Sequence, residues 1–262
     1  MKYCLQSRNI KEYLCKADEI RIEYRDYKST PDIIENYPTA KIILEEDYLG
    51  GNEFNWNDIK IWNGLAQGRL ILCLATFGSI DKCREIGVEY FMGYPAKTFY
   101  ELHGLKAMGV SYIRVDAPAF FKMEALKNEI DIPVRVLANV AYYDNIPRDN
   151  GIIGTWIRPE DVELYEPYVD VIEFGDCNNE KEQALYRIYA QEKKWAGPLN
   201  TIISNLNAPT DPYNRLMDSE VTKKRLNCGQ GCTEGSKCRI CYRAVILAQK
   251  DRIKDYKESL ES

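Results

Sequence analysis

Short apolar runs recur along the chain at fairly even spacing, and between most of them apolar residues return every three or four positions. The first pattern reads as buried β-strand and the second as amphipathic helix. Strands are expected at 19–24, 40–45, 70–74, 88–92, 111–115, 133–138, 153–157 and 170–174. Helices are expected at 10–16, 56–66, 80–86, 98–108, 120–128, 159–168 and 180–195. Two helices end in a glycine followed at once by a strand, at Ile86-Gly87-Val88 and Met108-Gly109-Val110. This is a helix C-cap feeding a buried strand. Pro159 suits the first turn of its helix.

Strands alternating with helices imply a parallel sheet, and a count of eight points to an α/β fold of the (β/α)8, TIM-like barrel type. A doubly wound open sheet is the alternative, but no G-x-G-x-x-G or P-loop follows any strand. The barrel is expected to be irregular around 141–151, which reads as loop where a helix would stand. The domain expectation is a barrel over 1–198 and a C-terminal extension over 199–262, closed by a helix at 242–257.

Composition narrows the function. The chain has 262 residues, 45% of them hydrophobic, which suffices for a sizeable core, and a net charge of −5. That balance argues against nucleic-acid binding by the whole surface, although Arg215, Lys223, Lys224, Arg225, Lys237, Arg239 and Arg243 form a local basic cluster. No window approaches the roughly 20 apolar residues of a membrane span. The opening Met1-Lys2-Tyr3-Cys4-Leu5-Gln6 has no apolar signal region. A soluble, cytoplasmic protein is expected, in which the nine cysteines are thiols or metal ligands rather than disulfides. A single histidine, His103, excludes a Ser-His-Asp triad and histidine-rich metal sites.

In such a barrel, active-site groups come from the C-terminal ends of the strands. Those ends supply Glu23, Arg25, Glu45, Glu46, Thr76, Asp116, Asn139, Arg158, Glu173 and Asp176. Arg158, in Trp156-Ile157-Arg158-Pro159-Glu160-Asp161, can hold a carboxylate or phosphate bidentately. Asp116 and Glu173 are the candidate proton carriers; with Arg158 they form the expected catalytic set. Glu45, Asn139 and Arg158 form the expected substrate-binding set. Strand-end acids also cap helices and strand-end arginines also pair with them, so each has a structural alternative. Cys4, Cys15, Cys73 and Cys83 read as small buried hydrophobes.

The densest chemistry lies at Asn227-Cys228-Gly229-Gln230-Gly231-Cys232, followed by Cys238 and Cys241. The spacing C-x3-C-x5-C-x2-C, with Gly229, Gly231 and Gly235 allowing tight turns and Lys237, Arg239 and Arg243 favouring thiolates, reads as a metal site. Four thiolates suit structural zinc, and they equally suit an iron–sulfur cluster.

The N-C-x-Q-x-C core formed by Asn227, Cys228, Gln230 and Cys232 resembles that of the collagenase-like peptidase family (peptidase family U thirty-two). That family includes proteins of oxygen-independent ubiquinone hydroxylation and of RNA base hydroxylation. The stretches 107–114 and 156–161 also look like its barrel repeats. The resemblance implies a four-iron (4Fe-4S) cluster near the barrel mouth and hydroxylation without molecular oxygen. Cys228 and Cys232 carry over directly. In much of the family the other two ligands precede this motif, whereas 199–227 here holds no cysteine. Cys238 and Cys241 then take their place, or Cys177 joins as a more distant ligand.

The resulting expectation is an iron–sulfur barrel enzyme acting on an anionic or nucleobase/aromatic substrate, either a small molecule or RNA, with a redox partner or second barrel subunit. The alternative is a non-catalytic or partner-dependent barrel with a structural zinc. A peptidase ranks lowest, because no hydrolase constellation is present.

Overall fold

Leu70–Leu74, the run LILCL, is buried at every position, as a strand covered on both faces must be. It forms β4 of a parallel sheet in the computed structural model, which describes residues 1–6, 14, 16–47, 53–115, 121–138 and 162–174. The other strands are β1 (Lys2–Gln6), β2 (Glu19–Ile22), β3 (Lys41–Glu45), β5 (Glu89–Met92), β6 (Ile113–Val115), β7 (Val134–Ala138) and β8 (Val171–Phe174). Their order is β5-β4-β3-β2-β1-β8-β7-β6. This is the sequential ring of an eight-stranded barrel, cut between β5 and β6. Across the cut, the Ala96 amide donates to the Arg114 carbonyl at 2.8 Å and the Ser111 amide to the Tyr90 carbonyl at 2.8 Å. A parallel bridge pairs Ala96 with Val115. Eight parallel strands with helices between them thus make a nearly closed, TIM-like barrel.

The helices are α1 (Thr30–Asn36), α2 (Trp56–Ala66), α3 (Ile80–Ile86), α4 (Phe99–Ala107), α5 (Met123–Glu129) and α6 (Val162–Tyr165). Local chemistry fixes their ends. The Asn55 side chain caps α2, accepting from the Asn57 amide. Thr98 and Glu101 form a reciprocal capping box at α4. Gly87 and Gly109 take the left-handed conformation, with φ of 73° and 71°, and each leads into the next strand as the glycine pattern predicts. The strands belong to one compact unit, built from Met1–Val115, Ile130–Leu137 and Val169–Tyr186. Helices α5 and α6 belong to the second unit.

Seven of the eight expected strands are found within two residues of their expected limits. The expected strand at 153–157 lies outside the described residues, as do the loop at 141–151, the helix at 180–195 and the extension 199–262. The ring also includes Lys2–Gln6, which was not among the expected strands. This five-residue run has an apolar centre, Tyr3-Cys4-Leu5, buried at all three positions. Its place is fixed by neighbours on both sides: Cys4 pairs in register with Glu19 of β2 and with Glu173 of β8. Helix α1 and the two short 3-10 turns at Tyr24–Ser29 and Phe77–Ser79 were also not expected.

Glu46, just past β3, holds the top of this half of the barrel together. One carboxylate oxygen accepts from the Ala75 and Thr76 amides at 2.7 and 3.2 Å, and the other from the Ser79 hydroxyl at 2.7 Å. Hydrogen bonds to a buried charged acceptor are worth about 1.5–3 kcal/mol each, and unpaired buried donors add to the loss. Glu46→Ala is expected to destabilise the protein by about 2–4 kcal/mol, and Ser79→Ala by about 1 kcal/mol. Thermal unfolding of the two variants beside the wild type checks this ranking; equal effects would mean that the backbone amides gain nothing from the carboxylate.

Candidate functional site

Parallel strands buried on both faces are normally near-continuous in apolar residues, yet four strands here carry buried charge. Glu19 and Arg21 lie on β2, Arg114 on β6, Arg135 on β7 and Glu173 on β8, and all five are buried. A two-residue period puts them on one face of the sheet. Their contacts with one another place that face inside the barrel. Arg135 donates from Nη2 to Glu19 Oε2 at 2.6 Å and from Nε to Glu173 Oε1 at 2.5 Å. Arg114 donates from Nη2 to the other Glu173 oxygen and from Nη1 to the Gly93 carbonyl at 2.5 Å. The chain of ion pairs therefore runs Glu19–Arg135–Glu173–Arg114 through the core.

Aromatic rings complete the solvation of these charges. The Arg135 guanidinium lies 4.7 Å from the centre of the Phe91 ring and 5.1 Å from that of Tyr112, and the Arg114 guanidinium lies 5.5 Å from Phe91. Cys4, Ile43, Ile71, Cys73 and Val171 pack with Phe91 and Tyr112 in the same core. Glu19 Oε1, Arg114 Nε and Arg135 Nη1 have no hydrogen-bond partner among the described residues.

Burial alone would raise the Glu173 pKa. The guanidiniums of Arg114, Arg135 and Arg21 overcome that and hold it at about 2. Arg114 and Arg135 are themselves shifted up, burial being outweighed first by Glu173. Glu173, expected as a proton carrier, joins two arginines in the core, with Arg114 on one carboxylate oxygen and Arg135 on the other.

Above this network is the mouth, at the C-terminal ends of β3, β4 and β5. Glu45, expected to bind substrate, is at the end of β3 with its side chain 32% exposed. Arg21 lies beneath it; its Nε is 3.7 Å from Glu45 Oε2, beyond hydrogen-bond distance. Burial opposes the charge on Arg21 and Glu45 restores it, so its pKa is raised overall. A cavity of about 260 Å³ opens beside Glu45, lined by Glu46, Cys73, Leu74, Ala75, Gly93 and Tyr94. A Cβ on Gly93 would meet Cys73 Sγ at 3.2 Å and the Leu74 carbonyl at 3.3 Å, so glycine here allows the ends of β4 and β5 to approach.

Of the expected catalytic, substrate-binding and metal-binding sets, Glu45 and Glu173 are the members described, and the structure gives them different places: Glu45 at the mouth, Glu173 in the core. Asp116, Asn139, Arg158 and Cys177 lie outside the described residues, as do Cys228, Cys232, Cys238 and Cys241. Among the described residues no group of three or more His, Cys, Asp or Glu side chains could hold a metal ion. The described cysteines are poor donors, since burial pushes the Cys73 and Cys83 thiols up to about 12 and raises Cys4 as well. His103 is exposed on α4. Sequence reasoning missed Arg21, Arg114, Arg135 and Glu19. The available signal was charge inside otherwise apolar strands, at alternate positions in β2 and singly in β6 and β7.

No family model matches the chain, and no curated protein matches it. Among solved structures, one described as native KDPGal is 13% identical, with a TM-score of 0.49 over 72% of this chain and 91% of its own. A cube-shaped, porous cage designed by fusing symmetric oligomeric domains is 13% identical, with a TM-score of 0.46 over 99% and 96%. A glycerol uptake operon antiterminator-related protein from Thermotoga maritima is 9% identical, with a TM-score of 0.42 over 66% and 93%. The barrel is read from the strand order itself. Among the described residues no helix is long and apolar enough to cross a membrane.

The ion-pair chain sets an acid limit on stability. An unfolded Glu173 takes up its proton near its ordinary 4.5, whereas the folded one does so only near 2. The folded-state pKa is depressed, so the stabilisation is complete above pH 4.5 and is lost as pH falls towards 2. The full difference corresponds to roughly 3 kcal/mol. Glu173→Gln is expected to cost about 3–5 kcal/mol at neutral pH, because two buried guanidiniums lose their shared counter-charge. Its deficit relative to wild type should shrink as the solution is acidified. Urea unfolding of both proteins from pH 7 to pH 3 tests this, and a deficit independent of pH would refute the assignment.

Proposed function

We propose that the chain is an iron–sulfur-dependent barrel enzyme of the oxygen-independent hydroxylase type, working on its substrate at the C-terminal mouth of the barrel. The observation that best supports a substrate site there is Arg21. Its side chain is only 9% exposed, and its Nε lies 3.7 Å from Glu45 Oε2, beyond hydrogen-bond distance. A buried guanidinium presents a fork of donors suited to a carboxylate or phosphate. Arg21 holds an anionic group of the substrate, assisted by Arg158 from the following strand-end set. The interior pairs Arg135–Glu173 and Arg114–Glu173 fix the floor beneath it.

Cys228, Cys232, Cys238 and Cys241 are the ligands of the cluster. A four-thiolate donor set fits a 4Fe-4S centre, and such a centre supplies electron transfer to the reaction. Asp116 carries protons, with Glu173 fixed between Arg114 and Arg135 in the core. The same donor set also fits structural zinc, and the outcome of metal analysis decides between them. The substrate is a small molecule or an exposed RNA base, and the electrons come from a redox partner or a second barrel subunit.

Protein purified without oxygen is expected to be brown and to contain about four iron and about four sulfide per chain. Cys228→Ser and Cys232→Ser should both abolish the visible absorption. Colourless protein with about one zinc per chain would replace this reading with the structural-zinc one.

A further inference from the structure

The cavity beside Glu45 has walls that favour one class of ligand. Two of its seven lining residues are carboxylates, Glu45 and Glu46, and none is basic; the rest are Cys73, Leu74, Ala75, Gly93 and Tyr94. Glu46 is saturated by its three donors, from Ala75, Thr76 and Ser79. Glu45 is not: its one contact with a described residue is the Arg21 ion pair at 3.7 Å. At the rim, Phe77 and Tyr94 are 51% and 38% exposed. Their rings meet edge to face, with centres 6.0 Å apart and planes at 80°. Exposed aromatic rings beside an incompletely partnered carboxylate form the usual setting for an organic cation, which gains from both the ring faces and the charge.

We infer that this cavity binds a small organic ammonium ion carrying a single aromatic or apolar ring. The ammonium group meets Glu45 and the ring lies against Leu74, Ala75 and the Phe77–Tyr94 pair. The volume of about 260 Å³ is below the range for drug-sized ligands and suits one ring with a short arm. An anion is disfavoured within the cavity itself, whose lining carries two carboxylates and no basic side chain; Arg21, beneath Glu45, does not line it. The inference rests on the cavity alone and does not depend on the iron–sulfur reading.

Three probes of nearly one shape separate charge from hydrophobic filling: benzylammonium, benzyl alcohol and benzoate. Calorimetric titration of the full-length protein at neutral pH is expected to show saturable binding of benzylammonium at millimolar concentration. Benzyl alcohol should bind about tenfold more weakly and benzoate more weakly still. Glu45→Gln should lower benzylammonium affinity about tenfold and leave benzyl alcohol unchanged. Ala75→Leu, which fills the cavity from its rim without touching the ion pairs, should weaken both. Iron content and melting temperature are read for each variant, so loss of the cluster or of the fold is seen separately from loss of the pocket. Should Glu45→Gln unfold, the Ala75→Leu variant and the probe ranking on wild type still decide. Benzoate binding as tightly as benzylammonium, benzylammonium affinity unchanged in a folded Glu45→Gln variant, or no saturable binding of any probe overturns the inference.

Discussion

A buried charge is tolerated only when its counter-charge is equally well held, and this barrel places a connected set of them at its centre. Glu19, Arg135, Glu173 and Arg114 are joined end to end and backed by Phe91 and Tyr112. No single pair in the set can be removed without stranding a neighbour. An apolar core of the same volume would serve stability as well or better, so the value of the network lies in what it specifies. A one-residue slip of any strand turns its side chains to the opposite face. On β2, β6, β7 or β8 such a slip would push an ionised group outward under the covering layer and leave its partner alone inside. The ion pairs therefore fix strand register around half the ring, where an interior of aliphatic side chains would accept several registers nearly equally.

Much of this architecture was legible in the sequence, because the buried strands and amphipathic helices carry periods that no other structure satisfies. The helices at 56–66 and 80–86 match their expected limits, and Gly87 and Gly109 mark helix ends for the reason that glycines usually do. What escaped notice was of two kinds. β1, with only three apolar residues between Lys2 and Gln6, is made a strand by the edges of β2 and β8, which is information held elsewhere in the chain. The interior charges are visible as letters, but Glu19 opens its strand and Arg21, Arg114 and Arg135 lie inside theirs, whereas barrel chemistry is expected at C-terminal strand ends. Glu173 has the expected strand-end position, but its two guanidinium neighbours come from other strands and show only in the fold.

The same network grades into the mouth. Deep in the barrel Glu173 is engaged through both oxygens, by Arg114 and Arg135; one level up, Arg21 and Glu45 face each other without a hydrogen bond. Glu46, one residue further along, is again fully engaged, this time by the backbone of the β4 loop. Adjacent residues with the same side chain thus have opposite roles, one closing a loop and the other left open to solvent. A rigid floor with a loosely paired rim is the arrangement in which a ligand can exchange for an internal contact without disturbing the scaffold.

The position of β1 also has a consequence for the order in which the barrel is built. Lys2 lies in register with Val171, and Tyr3 with Ile172, so the ring's first strand finds one of its two edges only after the rest of the ring has been made. Until then β1 has β2 alone to pair with, and the interior charges of β8 have not yet arrived to neutralise Arg114 and Arg135. Contacts of such long sequence separation are slow to form. Arg135 can meet Glu19 of β2 earlier, but Arg114 has no carboxylate partner among the described residues until Glu173 reaches it, which ties burial of its charge to closure of the ring.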